Sequence, residues 1–368
     1  MAIAIALLVL VVGSVLFHLL TPWWITPLAS NWKQMDDTLT ITVVVTGIFF
    51  VVINLFVVYT LWRFRHRDGV RAAYQPENRR LERWLIGVTS VGIAALLAPG
   101  LAVYARYLDP DPDALVVEVL GQQWQWRYRL PGDDGKLGRT DVRFMSGENP
   151  FGIDPSDAAG QDDRLVNGNE VKLPLGRPVK MLLRSRDTLH DFFAPQFRAR
   201  MNIVPGQVAW FWFTPTKTGR FEAMCAQLCG VGHSAMRGFV VVEDAAAFTA
   251  WQQALPTFAA LRAPAAAGGS PAERGRGLAQ AKGCVACHTV DGSRGVGPTW
   301  KGVYGKTETL EGGATAKVDE KFLREFIRDP AARPVAGFPA VMPRIELADD
   351  ELDAVVAYIR SLGTEPAR

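Results

Sequence analysis

Cysteine is scarce in this chain: 368 residues hold 4 of them. All lie in two short phrases, which leaves none for a structural disulfide elsewhere. Histidine is almost as rare, at 5. A bulk excess of charge is missing too. The formal net charge is +3, which gives no general polyanion-binding character and argues against a nucleic-acid partner. No internal repeat is visible, and no nucleophile or acid–base pair stands out. The chain therefore does not read as the seat of a bond-making reaction.

Long apolar runs are present. Leu39 to Leu61 and Trp84 to Tyr107 each exceed the roughly 20 residues that a membrane-crossing helix needs. Pro99-Gly100, inside the second run, is tolerated in membrane helices. Between the runs lie Arg63, Arg65, Arg67, Arg71, Arg79, Arg80 and Arg83, and the positive-inside rule makes this stretch a cytoplasmic loop. Everything after Asp109 then lies outside the cytoplasm. Met1 to Leu20 is a third apolar run. It has no Lys or Arg at its start and no small-x-small cleavage site before Trp23-Trp24, so a retained helix is favoured over a cleaved signal peptide. Trp23, Trp24 and Trp32 would sit at the outer interface. His18 reads as an interfacial or packing residue and His66 as a solvated one.

From Leu115 the pattern changes to short strands broken by glycine, proline and acidic clusters, which argues an all-β sandwich or barrel. In Gly121 to Tyr128, alternation puts Trp124, Trp126 and Tyr128 on one face and Gln123, Gln125, Arg127 and Arg129 on the other. Further strands are expected at 179–183, 208–213 and 238–243. Residues 259–271, rich in Ala, Gly and Pro, read as linker. Beyond them helices are expected from Ser270-Pro271, over 321–328 and over 351–362. A domain of about 95 residues is near the lower limit for building a core alone, and a covalently held group would supply much of that core. The organisation is that of a multidomain membrane protein: an N-terminal segment over 1–38, a transmembrane helical hairpin over 39–110, an all-β domain over 111–255, a linker over 256–271 and an all-α domain over 272–368.

The first cysteine phrase is Cys225-Ala-Gln-Leu-Cys229-Gly-Val-Gly-His233-Ser-Ala-Met236. Soft thiolates with imidazole and a weak thioether suit copper electron-transfer chemistry. One cysteine suffices for a single copper; a second at this spacing can bridge two. A copper pair needs another histidine, and the one left on this side of the membrane is His190. The carbonyl of Gln227 completes the set. A disulfide between Cys225 and Cys229 or a zinc site is the competing reading, though neither needs Met236 or His190. Met201 and Met224 compete for the thioether role.

The second phrase, Cys284-Val-Ala-Cys287-His288, is a haem c attachment motif in which the cysteines form thioethers and the histidine takes the proximal iron position. A thioredoxin-like pair is the alternative, but no βαβ pattern surrounds it. Met342 is the only methionine after the motif and the candidate for the sixth ligand. Such His/Met ligation raises the potential. Tyr304 is a candidate propionate contact, with core packing as the competing role.

Residues 39–245 resemble subunit II of haem-copper oxidases. The resemblance rests on the hairpin, the Gly121–Tyr128 strand, the His190 segment, Val204-Pro205-Gly206 and the Cys225–Met236 loop. It implies a cupredoxin domain carrying the binuclear CuA centre, with Trp124 as the electron gateway. Glu82 matches a glutamate at the mouth of a proton channel. Gly295-Val-Gly-Pro298 resembles the c-type cytochrome segment whose proline carbonyl orients the proximal histidine. Many relatives have glutamate where this chain has Gln227, so a magnesium site shared with subunit I is in doubt. The whole reads as subunit II of a terminal cytochrome c oxidase of a bacterial plasma membrane with a fused cytochrome c domain. Its expected partners are subunits I and III, membrane lipid and an external donor such as a cytochrome. The alternatives are the CuA subunit of a nitric oxide reductase or a free-standing membrane-anchored carrier.

Overall fold

A computed structural model describes residues 2–21, 26–71, 74, 76–166, 168–262 and 270–363. The chain divides into two compact units, Met1–Asp109 and Pro110–Arg368. Trp23 and Trp24 lie outside the described residues, as does most of the alanine- and glycine-rich stretch before Ser270.

The first unit is helical. It consists of α1 (Ala2–Leu20), α2 (Lys33–Arg63) and α3 (Arg79–Tyr107), and all three are long and apolar enough to cross a membrane. No residue of α2 is buried, and in α3 only Tyr107 is. A surface so apolar and so exposed suits lipid rather than water. Asn78 caps α3 by accepting a hydrogen bond from the Leu81 N–H. Trp32 is buried edge-on against Tyr107, with ring centroids 5.5 Å apart.

The second unit opens with a two-sheet β domain. Its strands are β1 (Leu115–Gln122), β2 (Gln125–Leu130), β3 (Arg164–Val166), β4 (Glu170–Pro174), β5 (Val179–Ser185), β6 (His190–Ala194), β7 (Ala199–Ile203), β8 (Ala209–Phe213), β9 (Gly219–Cys225) and β10 (Arg237–Glu243). One sheet runs β3-β2-β1-β5-β8 and the other β4-β10-β9-β6-β7. Aromatic side chains fill the space between them: Trp126, Tyr128, Phe192, Phe211 and Phe213 are all 0 % exposed. Trp126 meets Phe192 edge-on at 5.1 Å.

One sequence expectation needs correction here. Trp124 is not a strand residue, because the chain turns at Gln123–Trp124 between β1 and β2. The polar face of β2 is buried as well. Arg129 is buried, donating to Glu118 at 2.6 Å and to Asp163 at 2.7 Å, and Arg184 donates to the second oxygen of Glu118 at 2.7 Å. Pairing of each charge is what makes such burial tolerable.

The β domain closes with α4 (Ala245–Ala254) and α5 (Phe258–Arg262). The start of the expected linker is therefore structured. Phe258 is 1 % exposed, and its N–H donates to the Asp163 carbonyl at 2.9 Å. One large apolar side chain anchors a segment whose composition otherwise suggests freedom.

The cytochrome-like region holds α6 (Pro271–Ala281), α7 (Glu320–Arg328) and α8 (Asp349–Ser361), with a small hairpin of β11 (Thr307–Thr309) and β12 (Thr315–Lys317). A Ser270/Glu273 capping box starts α6. Helices α6 and α8 cross at Gly275, where a Cβ would lie 1.8 Å from the Ala354 carbonyl oxygen. The apolar face of α8 (Leu352, Val355, Val356, Ile359) packs with Trp300 into one core. The hairpin is the departure from an all-helical reading; its strands are too short to leave a period-2 signal.

Candidate copper and haem sites

Strand register assembles the first site. Phe192 of β6 lies opposite Cys225 of β9. His190, two residues earlier on the same face of β6, therefore reaches the same end of the sheet as Cys225. The loop after Cys225 returns to β10 under backbone control: the Cys225 N–H donates to the Met236 carbonyl and the Ala226 N–H to the Asp191 carbonyl, both at 3.1 Å.

The donor atoms converge. Single ligand atoms of His190, Cys225 and Cys229 all lie within 4.8 Å of one another. Cys225 Sγ is 3.7 Å from Cys229 Sγ and 4.0 Å from His190 Nδ1. Cys229 Sγ is 3.6 Å from His233 Nδ1 and 3.9 Å from Met236 Sδ. The Gln227 carbonyl oxygen is 3.2 Å from Cys225 Sγ. A disulfide needs sulfurs about 2.05 Å apart, so the pair is not bridged. Donors that share a metal at about 2.0–2.3 Å sit roughly 3.3–3.8 Å from each other, close to the 3.2–4.0 Å spacings of this cluster. Met236 is 0 % exposed. Met224 precedes Cys225 in β9, so alternation points it to the other face, and Met201 lies on β7 opposite Phe192.

Electrostatics separates the two thiols. Burial opposes the charge on Cys225, but hydrogen bonding to His190 and to backbone at Asp191 and Gln227 outweighs it and holds the thiol down to about 6. Burial and the neighbouring Cys225 charge push Cys229 up to about 12. His190 is fully buried, and its Nε2 is 2.8 Å from Asp187. That contact leaves Nδ1 toward the sulfurs. Burial works against the imidazolium, yet the Asp187 and Cys225 partners raise the His190 pKa.

Asp187 and Gln123 were not singled out in the sequence, and both belong to the site. Gly121 of β1 pairs with Ser185 of β5, which runs residues 186–189 beside the β1–β2 turn. There Asp187 accepts the Gln123 N–H at 2.7 Å. Gln123 Nε2 and Trp124 Nε1 both donate to the Cys229 carbonyl, at 2.9 and 3.2 Å. The Trp124 ring lies so flat on the loop that a Cβ at Gly232 would be 2.3 Å from it. The available signal was an acid three residues before a candidate ligand. Glu82, by contrast, is exposed in the first turn of α3, within the helical unit.

The second site is a cavity of about 290 Å³, walled by Cys284, Cys287, His288, Met342, Val335 and Phe338 among others. A short 3-10 turn over Cys284–Ala286 brings the cysteines to one rim. His288 is 8 % exposed and its Nδ1 donates to the Pro298 carbonyl at 2.8 Å. That bond fixes the tautomer and frees Nε2 for a metal. Gly297 makes room for the ring, since a Cβ there would lie 2.6 Å from His288 Cε1. Trp300 stacks on the imidazole at 5.3 Å. Burial lowers the His288 pKa against the pull of the Pro298 contact, so the ring is a neutral donor. A neutral imidazole, an apolar cleft, two thiols at its rim and a thioether in its wall fit a haem. Tyr304 packs against the domain core, under Arg360, and does not line the cavity.

Comparison with known proteins then decides the family. Residues 115–245 match the family model "Cytochrome C oxidase subunit II, periplasmic domain", and residues 272–363 match "Cytochrome c". The alternative cytochrome c oxidase subunit 2 of Bradyrhizobium diazoefficiens is 51 % identical over 261 residues, covering 71 % of this chain and 94 % of that protein. The chain belongs to the cytochrome c oxidase subunit 2 family. Within it, the cytochrome c oxidase subunit 2 of Alkalihalophilus pseudofirmus is 22 % identical over 88 % of this chain and 83 % of its own length. The periplasmic domain of subunit II of cytochrome oxidase from Bradyrhizobium japonicum, solved by crystallography, is 27 % identical, with a TM-score of 0.29 over 40 % of this chain and 95 % of that one. A subunit 2 periplasmic domain implies copper and a cytochrome c domain implies haem. Each match coincides with one of the two sites described above.

Proposed function

We propose that this chain is the electron-accepting subunit of a bacterial terminal cytochrome c oxidase. Electrons come from an external donor to the cytochrome c domain, cross to the copper loop and leave toward subunit I, where oxygen is reduced and protons are translocated. The observation that carries this reading is the cluster of two thiols, two imidazoles, a thioether and a carbonyl, on one chain with a Cys-x-x-Cys-His cavity. Bound copper and haem would supply reversible one-electron carriers.

The protein's own residues hold and tune those carriers. Cys225, Cys229, His190, His233, Met236 and the Gln227 carbonyl would hold the copper pair. Asp187 fixes the His190 ring, the usual outer partner of a ligating imidazole. Burial of both sulfurs excludes water. A glutamine at 227 gives a shared magnesium no carboxylate from this position. In the second domain Cys284, Cys287, His288 and Met342 would hold a haem, and the Pro298 carbonyl orients His288. Trp124 is the proposed electron gateway and Glu82 the mouth of a proton channel in the partner complex. The arginines between α2 and α3 support a cytoplasmic loop, with both soluble domains on the outer face of the membrane.

Metal and haem analysis of the purified complex, with oxygen and nitric oxide uptake measured side by side, tests the reading. Copper and haem c with oxygen consumption are expected. Nitric oxide consumption alone, or recovery of the chain with no large catalytic subunit, would overturn it.

A further inference from the structure

The polar face of β2, beside the copper loop, is packed against the cytochrome c domain. Arg127 of β2 is 4 % exposed, and its guanidinium donates to the Gln280 carbonyl near the end of α6 at 3.0 Å. Gln125, two residues earlier on the same face, is 6 % exposed. Against it sits Gly283, in the left-handed region at φ +78°, where a Cβ would lie 2.9 Å from Gln125 Nε2. The backbone just before Cys284 thus rests directly on β2.

The same contact closes the haem cavity. Gln123, Trp124 and Asp187, from the β domain, line it together with Cys287, His288 and Met342. All three of those wall residues also hold the copper cluster: Gln123 and Trp124 donate to the Cys229 carbonyl, and Asp187 hydrogen-bonds His190. The cavity and the thiolate cluster are therefore separated by a wall one side chain thick.

We propose that the cytochrome c domain is a fixed relay seated on β2 by Arg127 and by the Gln125–Gly283 contact, and that electrons cross to the copper loop through Asp187–His190 and Trp124–Cys229. The soluble donor then docks on the cytochrome c domain rather than at Trp124, which forms part of the haem cavity's wall. This rests on the function proposed above but goes beyond it. A domain that swung on its linker between donor and copper would have to strip Arg127 of its carbonyl in every cycle. Breaking a hydrogen bond from a charged donor shifts such an equilibrium by roughly ten- to a hundredfold.

The test uses the intact oxidase complex in detergent. Arginine footprinting with phenylglyoxal should leave Arg127 unlabelled while Arg143, 77 % exposed, reacts freely. Arg127→Ala should raise hydrogen exchange across 276–284 by roughly tenfold or more, and Arg127→Lys should raise it less. These readouts need neither copper nor haem. After photoreduction of haem c, reduction of the copper centre should be a single phase that does not slow with solvent viscosity, and Arg127→Ala should make it viscosity-dependent. Equal labelling of Arg127 and Arg143, or a viscosity-limited wild-type rate, would overturn the seat. Absence of copper and haem spectra would instead defeat the functional reading while footprinting still judged the seat.

Discussion

Replacing Asp187 with alanine isolates the outer support of the copper cluster. The carboxylate accepts from His190 Nε2 at 2.8 Å and from the backbone N–H groups of Gln123 and Thr188, both at 2.7 Å. Burial pushes this carboxyl up, but the His190, Gln123 and Thr188 hydrogen bonds outweigh it and hold the pKa below the ordinary value, so the group is charged. Without it the His190 ring loses the contact that selects Nδ1 as the ligand atom. Removing an outer partner of a ligating imidazole costs about 10- to 100-fold in metal affinity, or roughly 1.4–2.8 kcal/mol. Asp187→Asn keeps an acceptor without the charge and should fall between alanine and wild type. Chelator competition, followed through the near-infrared absorption of the mixed-valence copper pair, measures the loss. Wild-type copper retention in Asp187→Ala, with only the thermal midpoint lowered, would refute a role in holding His190 and leave Asp187 a fold residue.

Other outcomes follow from the same geometry. In copper-depleted protein Cys225, held down to about 6, is thiolate throughout neutral pH, while Cys229, pushed up to about 12, stays protonated. Iodoacetamide at neutral pH should therefore modify Cys225 well before Cys229, and equal rates would contradict the assignment. Met342→Ala should lower the haem c midpoint potential by on the order of 100 mV; an unchanged potential in a redox titration would remove Met342 as the axial ligand. Glu118, Asp163, Arg129 and Arg184 form a charge-balanced buried set. Asp163→Ala leaves that set one positive charge in excess and should destabilise the β domain by about 3 kcal/mol, read as a lowered thermal midpoint of the intact chain.

The parts of this architecture that were legible in the sequence are those with local signals. Apolar runs gave the three helices, and strand and cap patterns gave β5, β8, β10 and α6 within a residue or two. The two cysteine phrases marked both candidate sites because their donor types are rare and their spacing is chemical. What stayed hidden depends on contacts distant in sequence. Trp124 alternates with Trp126 and Tyr128, so nothing local separates a turn residue from a strand residue. The Glu118–Arg129–Asp163 set reads as a solvated face until tertiary pairing buries it. Phe258 lies in alanine-rich sequence, and only its docking shows that the segment is folded. Asp187 needed the parallel β1–β5 register to bring it to Gln123 and His190.

The central claim is that sulfur and imidazole on this chain hold a copper pair beside a haem. Its most direct measurement is electron paramagnetic resonance of the oxidised, purified complex, with copper and covalent haem quantified on the same sample. The account predicts the multiline spectrum of one unpaired electron shared by two coppers, lost in Cys229→Ser, together with haem c that stays on the denatured chain. A single-copper or zinc-only site, or haem released on denaturation, would contradict it.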